Sequence, residues 1–249
     1  MATLRTPDPD VAARAAQTPI DGGARATQRL LLVLSIVAGC TDVIGFLGLG
    51  GLFTNHITGN LVLLAAHLVA GGDAQVAKLL SVPVYVVMAG LTTLLAGRLQ
   101  ANGFAPLRPL LLLHFALLLA FLLLCIAAGS PIDANATGAV LAGMLGVSAM
   151  AVQNTLVQVS LEGMPPTGMM TGNVTRFAID LSDVLLGGDP ARVAKARQRA
   201  ARTLPLIAGF AGGCGAGAAL ESAIGMAALS LPVALAAVAL ALAGIRPPR

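Results

Sequence analysis

The chain has 249 residues, of which 57% are hydrophobic and only 10% charged, with a formal net charge of +4. Soluble globular proteins carry about a quarter charged residues, so this sequence lacks the polar side chains to cover a water-facing surface. Long uncharged runs point to a polytopic helical membrane protein, and the alternating pattern of a transmembrane barrel is absent. With no Trp and one Tyr, no basic-aromatic surface points to a nucleic-acid partner.

Residues 1–29 hold Arg5, Arg14, Arg25 and Arg29 among Asp8, Asp10 and Asp21 and lack an apolar period. They read as a disordered tail, and the apolar run that follows is too long for a signal peptide. Apolar segments then recur at 30–53, 61–72, 79–97, 107–129, 136–161, 174–187, 203–220 and 222–244. Six of these reach, or nearly reach, the length that crosses ~30 Å of hydrocarbon at ~1.5 Å per residue. Segments 61–72 and 174–187 are short, and the second carries Arg176, Asp180 and Asp183.

Charge chooses between eight and six crossings. If the two short segments span, Arg98 and Arg108 fall opposite the tail. If they dip in and return, the tail, Arg98 and Arg108, the stretch "GGDPARVAKARQRAAR", and Arg246 and Arg249 all share one side. That arrangement obeys the positive-inside rule and places both termini in the cytoplasm, the expected location being the inner membrane of a bacterium. Cys40, Cys125 and Cys214 fall inside apolar runs and lack metal-type spacing.

The halves resemble one another. "TNHITGN" at 54–60 is matched by "TGMMTGN" at 167–173, an offset of 113, which also pairs Gly50 with Gly163 and His67 with Asp180. Pro83 and Gly90 match Pro205 and Gly212 at an offset of 122, the nine extra residues falling in the basic loop. The expected architecture is all-α: six transmembrane helices plus two short re-entrant or broken helices, in a 3+3 inverted repeat. The first membrane repeat would occupy 30–129 and the second 130–249.

"GCTDVIGFLGLGGLFTNHITGN" followed by "MTGNVTRFAIDL" resembles the YoaK-like family of bacterial integral membrane proteins, defined as a domain of unknown function, over roughly residues 30–244. The resemblance implies about six helices and brings no activity, substrate or cofactor.

The polar residues suggest a pathway. In each Thr-Gly-Asn element (Thr58, Gly59 and Asn60; Thr171, Gly172 and Asn173) Gly permits a bend and Thr or Asn can cap a helix. Two buried helix N-termini would then face a permeating solute; interhelical turns at the membrane surface are the plainer alternative. Asp42 lies within the first crossing, where an ionisable group is costly and faces the interior or a water path. It is read as a proton or cation site, or as a buried carboxyl bonded to neighbours. Gln153 and Asn154 take the related place in the second half. Asn173, Arg176 and Asp180 share a helix face, and Arg176 could draw an anion or pair with Asp42. Asn55, His56 and His67 complete the candidate pathway.

The expected function is a small-solute channel or secondary transporter, proton-coupled or anion-selective, in contact with the lipid bilayer and with a small polar or anionic solute. A homo-oligomer is compatible with the Gly-rich faces. The alternative is a non-transporting scaffold or a membrane-embedded enzyme of unknown activity. H-E-x-x-H, G-x-S-x-G and nucleotide-loop motifs are absent, so no enzyme and no cofactor or metal is expected.

Overall fold

A computed structural model describes residues 20–70, 76–129 and 133–244, with side chains from residue 23 onward. Among these residues the chain is helical, without strands: α1 Ile20–Gly48, α2 Ile57–Ala70, α3 Val76–Ala101, α4 Leu107–Ala128, α5 Thr137–Ser160, α6 Met170–Leu186, α7 Pro190–Ile224, a 3-10 turn Gly225–Leu229, and α8 Ser230–Gly244. Five stretches are long and apolar enough to cross a bilayer: Gly23–Gly48, Val76–Ala101, Leu107–Ala128, Thr137–Ser160 and Pro190–Gly244. The last contains α7, the 3-10 turn and α8. By length and composition this is a helical membrane protein.

Two boundaries differ from the sequence expectation. Helix α1 already begins at Ile20, inside the stretch read as a disordered tail, while residues 1–19 lie outside the described residues. The basic stretch read as a loop is helical from Pro190, the first turn of α7. Asp189 accepts a hydrogen bond from the Ala191 amide at 3.2 Å, and Pro at the first helical position forfeits an N–H that has no partner there anyway. Alternating Ala and basic residues are good helix formers, so the helix extends beyond its apolar part.

Glycine sets the closest helix contact. Leu32 meets Gly209, Ile36 meets Gly213 and Cys40 meets Gly217, so α1 and α7 run parallel. Cys40 Sγ donates to the Gly213 carbonyl at 3.1 Å, and a Cβ at 213 would run into the Ile36 backbone. In lipid, such small-residue seams supply the van der Waals contact that holds helices together.

Other pairs are antiparallel. His114 bonds to the Ala149 carbonyl, and Phe121 packs on Gly146, so α4 opposes α5. Gln153 donates to the Leu34 carbonyl, whereas Leu49 and Leu52 pack on Gly143, so α1 also opposes α5. The helix packing follows a pattern: α1 packs on α7 and α8, α5 packs on α3 and α4, α2 packs on α3, α6 packs on α7, and α4 packs on α8. Exchanging α1 to α4 for α5 to α8 leaves this set of pairs unchanged. The apolar core draws Leu30, Leu31 and Leu34 of α1 together with Leu110, Leu156, Leu206 and Ala239 from α4, α5, α7 and α8.

Candidate functional site

The first bend starts where α1 ends. Gly50 and Gly51 have φ of 62° and 80°, a region that residues with a Cβ rarely adopt. The chain then turns back along α1, so that Thr54, Asn55 and His56 reach Asp42, nearly two turns before the helix end. The Asn55 amide donates to Asp42 Oδ1 at 2.8 Å, the Thr54 hydroxyl reaches the same oxygen at 3.4 Å, and His56 Nδ1 lies 2.5 Å from Oδ2. Asp42 is 4% exposed. A buried carboxylate is tolerated when donors surround it, and three supplied by one short bend meet that need.

The second bend, 161–169, turns back along α5 in the same way. Gly163 has φ of 74°. Thr167 accepts a hydrogen bond from Gln153 Nε2 at 3.0 Å, and the same nitrogen donates to the Leu34 carbonyl at 2.9 Å. Gln153 therefore holds its bend as Asp42 holds the first, without a charge.

The bends touch one another. Asn55 Nδ2 donates to the Gly168 carbonyl at 2.8 Å, between positions 113 apart. Asn154 Nδ2 donates to Asn55 Oδ1 at 2.9 Å and reaches the Tyr85 hydroxyl at 3.1 Å. Gln153 Oε1 and Asn154 Oδ1 are buried acceptors with no protein partner. The centre thus joins α1, α3, α5 and both bends through amides, hydroxyls and one carboxylate.

The Thr-Gly-Asn elements work differently from the expectation. Thr58 to Asn60 lie within the first turn of α2, and Thr171 to Asn173 within that of α6. Asn60 clasps the bend before it: its Oδ1 accepts from the Phe53 amide at 2.9 Å, and its Nδ2 donates to the Phe53 carbonyl at 2.8 Å and to Ser81 at 3.0 Å. Asn173 donates to the Pro166 carbonyl at 2.6 Å, the equivalent position. The side chains therefore hold the preceding bend instead of capping the helix. Gly59 and Gly172 do not make the bends, which lie at Gly50, Gly51 and Gly163. Gly59 instead leaves room for the Phe53 ring, which a Cβ would meet at 3.1 Å.

Two cavities flank the centre. One, of about 530 Å³, is lined by Asp42, His56, Thr58, Gly59 and apolar side chains, among them Phe46, Phe53 and Phe210. His56 also stands edge-on to Phe53 and Phe210, with ring centroids 5.7 and 5.8 Å away. It sits in the connector between α1 and α2, where its hydrogen bond to Asp42 raises its pKa above the ordinary imidazole value against the opposing effect of burial. The other cavity, of about 290 Å³, is lined by Arg176, Asp180, Arg199 and Arg202.

The expected single pathway is thus divided. Asp42, His56, Thr58 and Gly59 line the first cavity, and Asn55, Gln153 and Asn154 form the buried centre. Arg176 and Asp180 belong to the second cavity. Arg176 is exposed, and Asp180 pairs with Arg199, at 2.9 Å from Nε and 2.5 Å from Nη2, instead of with Arg176. Thr171 and Gly172 are exposed, and His67 bonds to the Leu63 carbonyl of its own helix. Sequence reasoning missed Tyr85, Arg199 and the buried Lys78 and His114. Only Tyr85 carried a signal, as the single tyrosine of the chain within an apolar run. Among the described residues no group of three His, Cys, Asp or Glu side chains could hold a metal ion.

The sequence model of one protein family, described as a protein of unknown function (DUF1275), matches residues 30–242. No curated protein and no solved structure matches the chain.

Proposed function

This chain belongs to the DUF1275 family, and we propose that it is a small-solute channel or secondary transporter, without enzymatic activity, whose proton-sensitive element is the Asp42–His56 pair. The observation that carries this reading is the contact of two non-helical bends beside a buried carboxylate: Asn55 of one bonds to Gly168 of the other, and the Asn55 amide bonds to Asp42. Non-helical backbone and a buried ionisable group at membrane depth are each unfavourable unless they lie inside protein or beside a wet cavity. Here they lie together, next to a cavity that ends on Asp42 and His56.

The wider architecture we propose is six crossings in a 3+3 inverted repeat, with α2 and α6 re-entrant. The antiparallel course of α1 and α5 supports it, as does helix packing that is unchanged by exchanging the halves. The re-entrant course is supported by Thr54 returning to Asp42 and Thr167 to Gln153. The positive-inside rule then places the start of α7 and both termini in the cytoplasm of a bacterial cell. Such transporters carry their substrate sites where the repeats meet.

The test is uptake into proteoliposomes across a panel of small anions, weak acids and polar neutral solutes. We expect at least one to enter with a rate that depends on pH, and Asp42→Asn to change that dependence. A folded protein that moves no member of a broad panel, with either sign of pH gradient, would remove the transport reading.

A further inference from the structure

The second cavity has a chemistry that the pathway does not use. Three guanidinium groups line it, from Arg176 on α6 and from Arg199 and Arg202 on α7, against one carboxylate, Asp180. Arg199 is committed to that carboxylate through both Nε and Nη2. Nearby, Arg192 is committed to Asp183 at 2.5 Å. Arg176 and Arg202 pair with no carboxylate among the described residues, although both line the cavity. The cavity therefore carries two uncompensated positive charges, beside Thr203 and the bend residues Gly163 and Pro165.

The surroundings are apolar. Ile179 lines the cavity and is 57% exposed, and Leu186, two turns along the same face of the helix, is exposed as well. In a bilayer that face meets acyl chains. A basic recess between helices, next to a lipid-facing surface, suits a phosphate group, which guanidinium binds with paired parallel hydrogen bonds. At about 290 Å³ the recess is of headgroup or small-ion size.

We propose that the Arg176–Arg202 cavity binds a phosphate-bearing anion, either the headgroup of an anionic phospholipid or free phosphate. Asp180 has the role of fixing Arg199 in the wall, leaving Arg176 and Arg202 to hold the ligand. This site is separate from the Asp42 centre and does not depend on transport.

The test uses the purified full chain in detergent, with lipid binding followed by native mass spectrometry and phosphate binding by calorimetry. The probes are phosphatidylglycerol, phosphatidylcholine and inorganic phosphate. The wild type should retain phosphatidylglycerol in preference to phosphatidylcholine, or bind inorganic phosphate. Loss of lipid on adding phosphate assigns a site shared by both sources, and retention assigns the lipid. The double variant Arg176→Gln with Arg202→Gln should weaken the preferred probe by about 30-fold, at ~1 kcal/mol per basic residue. Where the double variant fails to fold, each single variant is read instead, with about fivefold expected. The control, Lys195→Gln with Arg197→Gln, removes two exposed charges of α7 that do not line the cavity and should bind as the wild type does. A wild type that binds none of these anions selectively would overturn the proposal. So would arginine variants that match the control.

Discussion

Asn55 and Gly168 stand 113 residues apart, the offset between the two Thr-Gly-Asn motifs, and the side chain of one donates to the backbone carbonyl of the other at 2.8 Å. The contact is possible only because position 168 has no side chain. A Cβ there would run into Asn154 Oδ1 and would lie 2.6 Å from Asn55 Oδ1. Both atoms belong to hydrogen-bonded amides, so neither can withdraw without breaking the centre. Gly168→Ala should lower thermal stability in detergent by about 1–3 kcal/mol, the usual cost of overpacking. Gly172→Ala, with nothing within 4 Å of the added carbon, should stay within about 0.5 kcal/mol of wild type. Equal effects of the two substitutions would show that the bends do not meet as described.

The asparagine clasps can be weighed against each other. Asn60 makes three hydrogen bonds through its amide, to both backbone groups of Phe53 and to Ser81. Asn173 makes one to the Pro166 carbonyl and a weak one to Met170 Sδ at 3.8 Å, and its Oδ1 is buried without a partner. Proline has no N–H, so the second half cannot copy the paired clasp. Removing a partner that leaves buried groups unsatisfied costs about 1–3 kcal/mol. Asn60→Ala should therefore be the more destabilising of the two, and Asn173→Ala the milder, in paired thermal melts. The reverse order would contradict the assigned roles.

The helical membrane class was legible because too few charges remained to build a wet surface. The bends were legible as positions, because polar motifs recurred at a fixed offset between apolar runs. Their mechanism was not. Asn60 and Asn173 looked like caps, since an Asn beside a helix start is favourable for that reason. Only three-dimensional placement shows that each reaches seven residues back, to Phe53 and Pro166. The partner of Asp180 was not legible for a related reason. Arg176 is close in sequence, whereas Arg199 arrives from α7 through the hairpin that joins α6 to it. Spacing along one helix cannot report a contact between two. Lys78 escaped because a single lysine at the edge of an apolar segment has no pattern to mark it, and Tyr85 was marked only by being the single tyrosine of the chain.

The seam between α1 and α7 gives a prediction independent of the polar centre. A Cβ at Gly39 would collide with the Phe210 carbonyl oxygen and come within 3.0 Å of the Cys214 nitrogen. Both obstacles are backbone, so the helices themselves would have to separate. Gly39→Ala should cost about 1–3 kcal/mol or more and reduce the yield of folded protein. Gly212→Ala and Gly90→Ala, at matched positions of α7 and α3 with open space around the added carbon, should be tolerated. A gain in helix propensity of up to about 1 kcal/mol could make them slightly stabilising. Thermal melts of the three variants in one detergent distinguish a packed seam from a glycine-rich helix that merely tolerates change.

The Asp42–His56 pair predicts a pH dependence with a defined sign. His56 gains a partner on folding, and the hydrogen bond to Asp42, the largest cause, raises its folded pKa above the unfolded value. A group raised in this way contributes stability that is fully present below the unfolded pKa, about 6.5 for histidine. That contribution is lost as pH rises through the folded pKa. The wild type should therefore lose stability on the alkaline side of about pH 6.5. Asp42→Asn removes the carboxylate and leaves the opposing effect of burial, so the folded pKa of His56 should fall to or below its unfolded value, the alkaline loss should disappear, and any dependence that remains should be a loss on the acid side. His56→Gln should abolish that limb while Asp42 keeps its bonds to Thr54 and Asn55. Cys214 is the other titratable side chain lining the cavity with these two, so Cys214→Ala serves as the control and should leave the limb in place. Melting temperature followed from about pH 5 to about pH 9, a range that spans the imidazole transition, reads all four proteins. An alkaline limb that survives in both Asp42→Asn and His56→Gln would place the titrating group elsewhere and remove the pair from the mechanism.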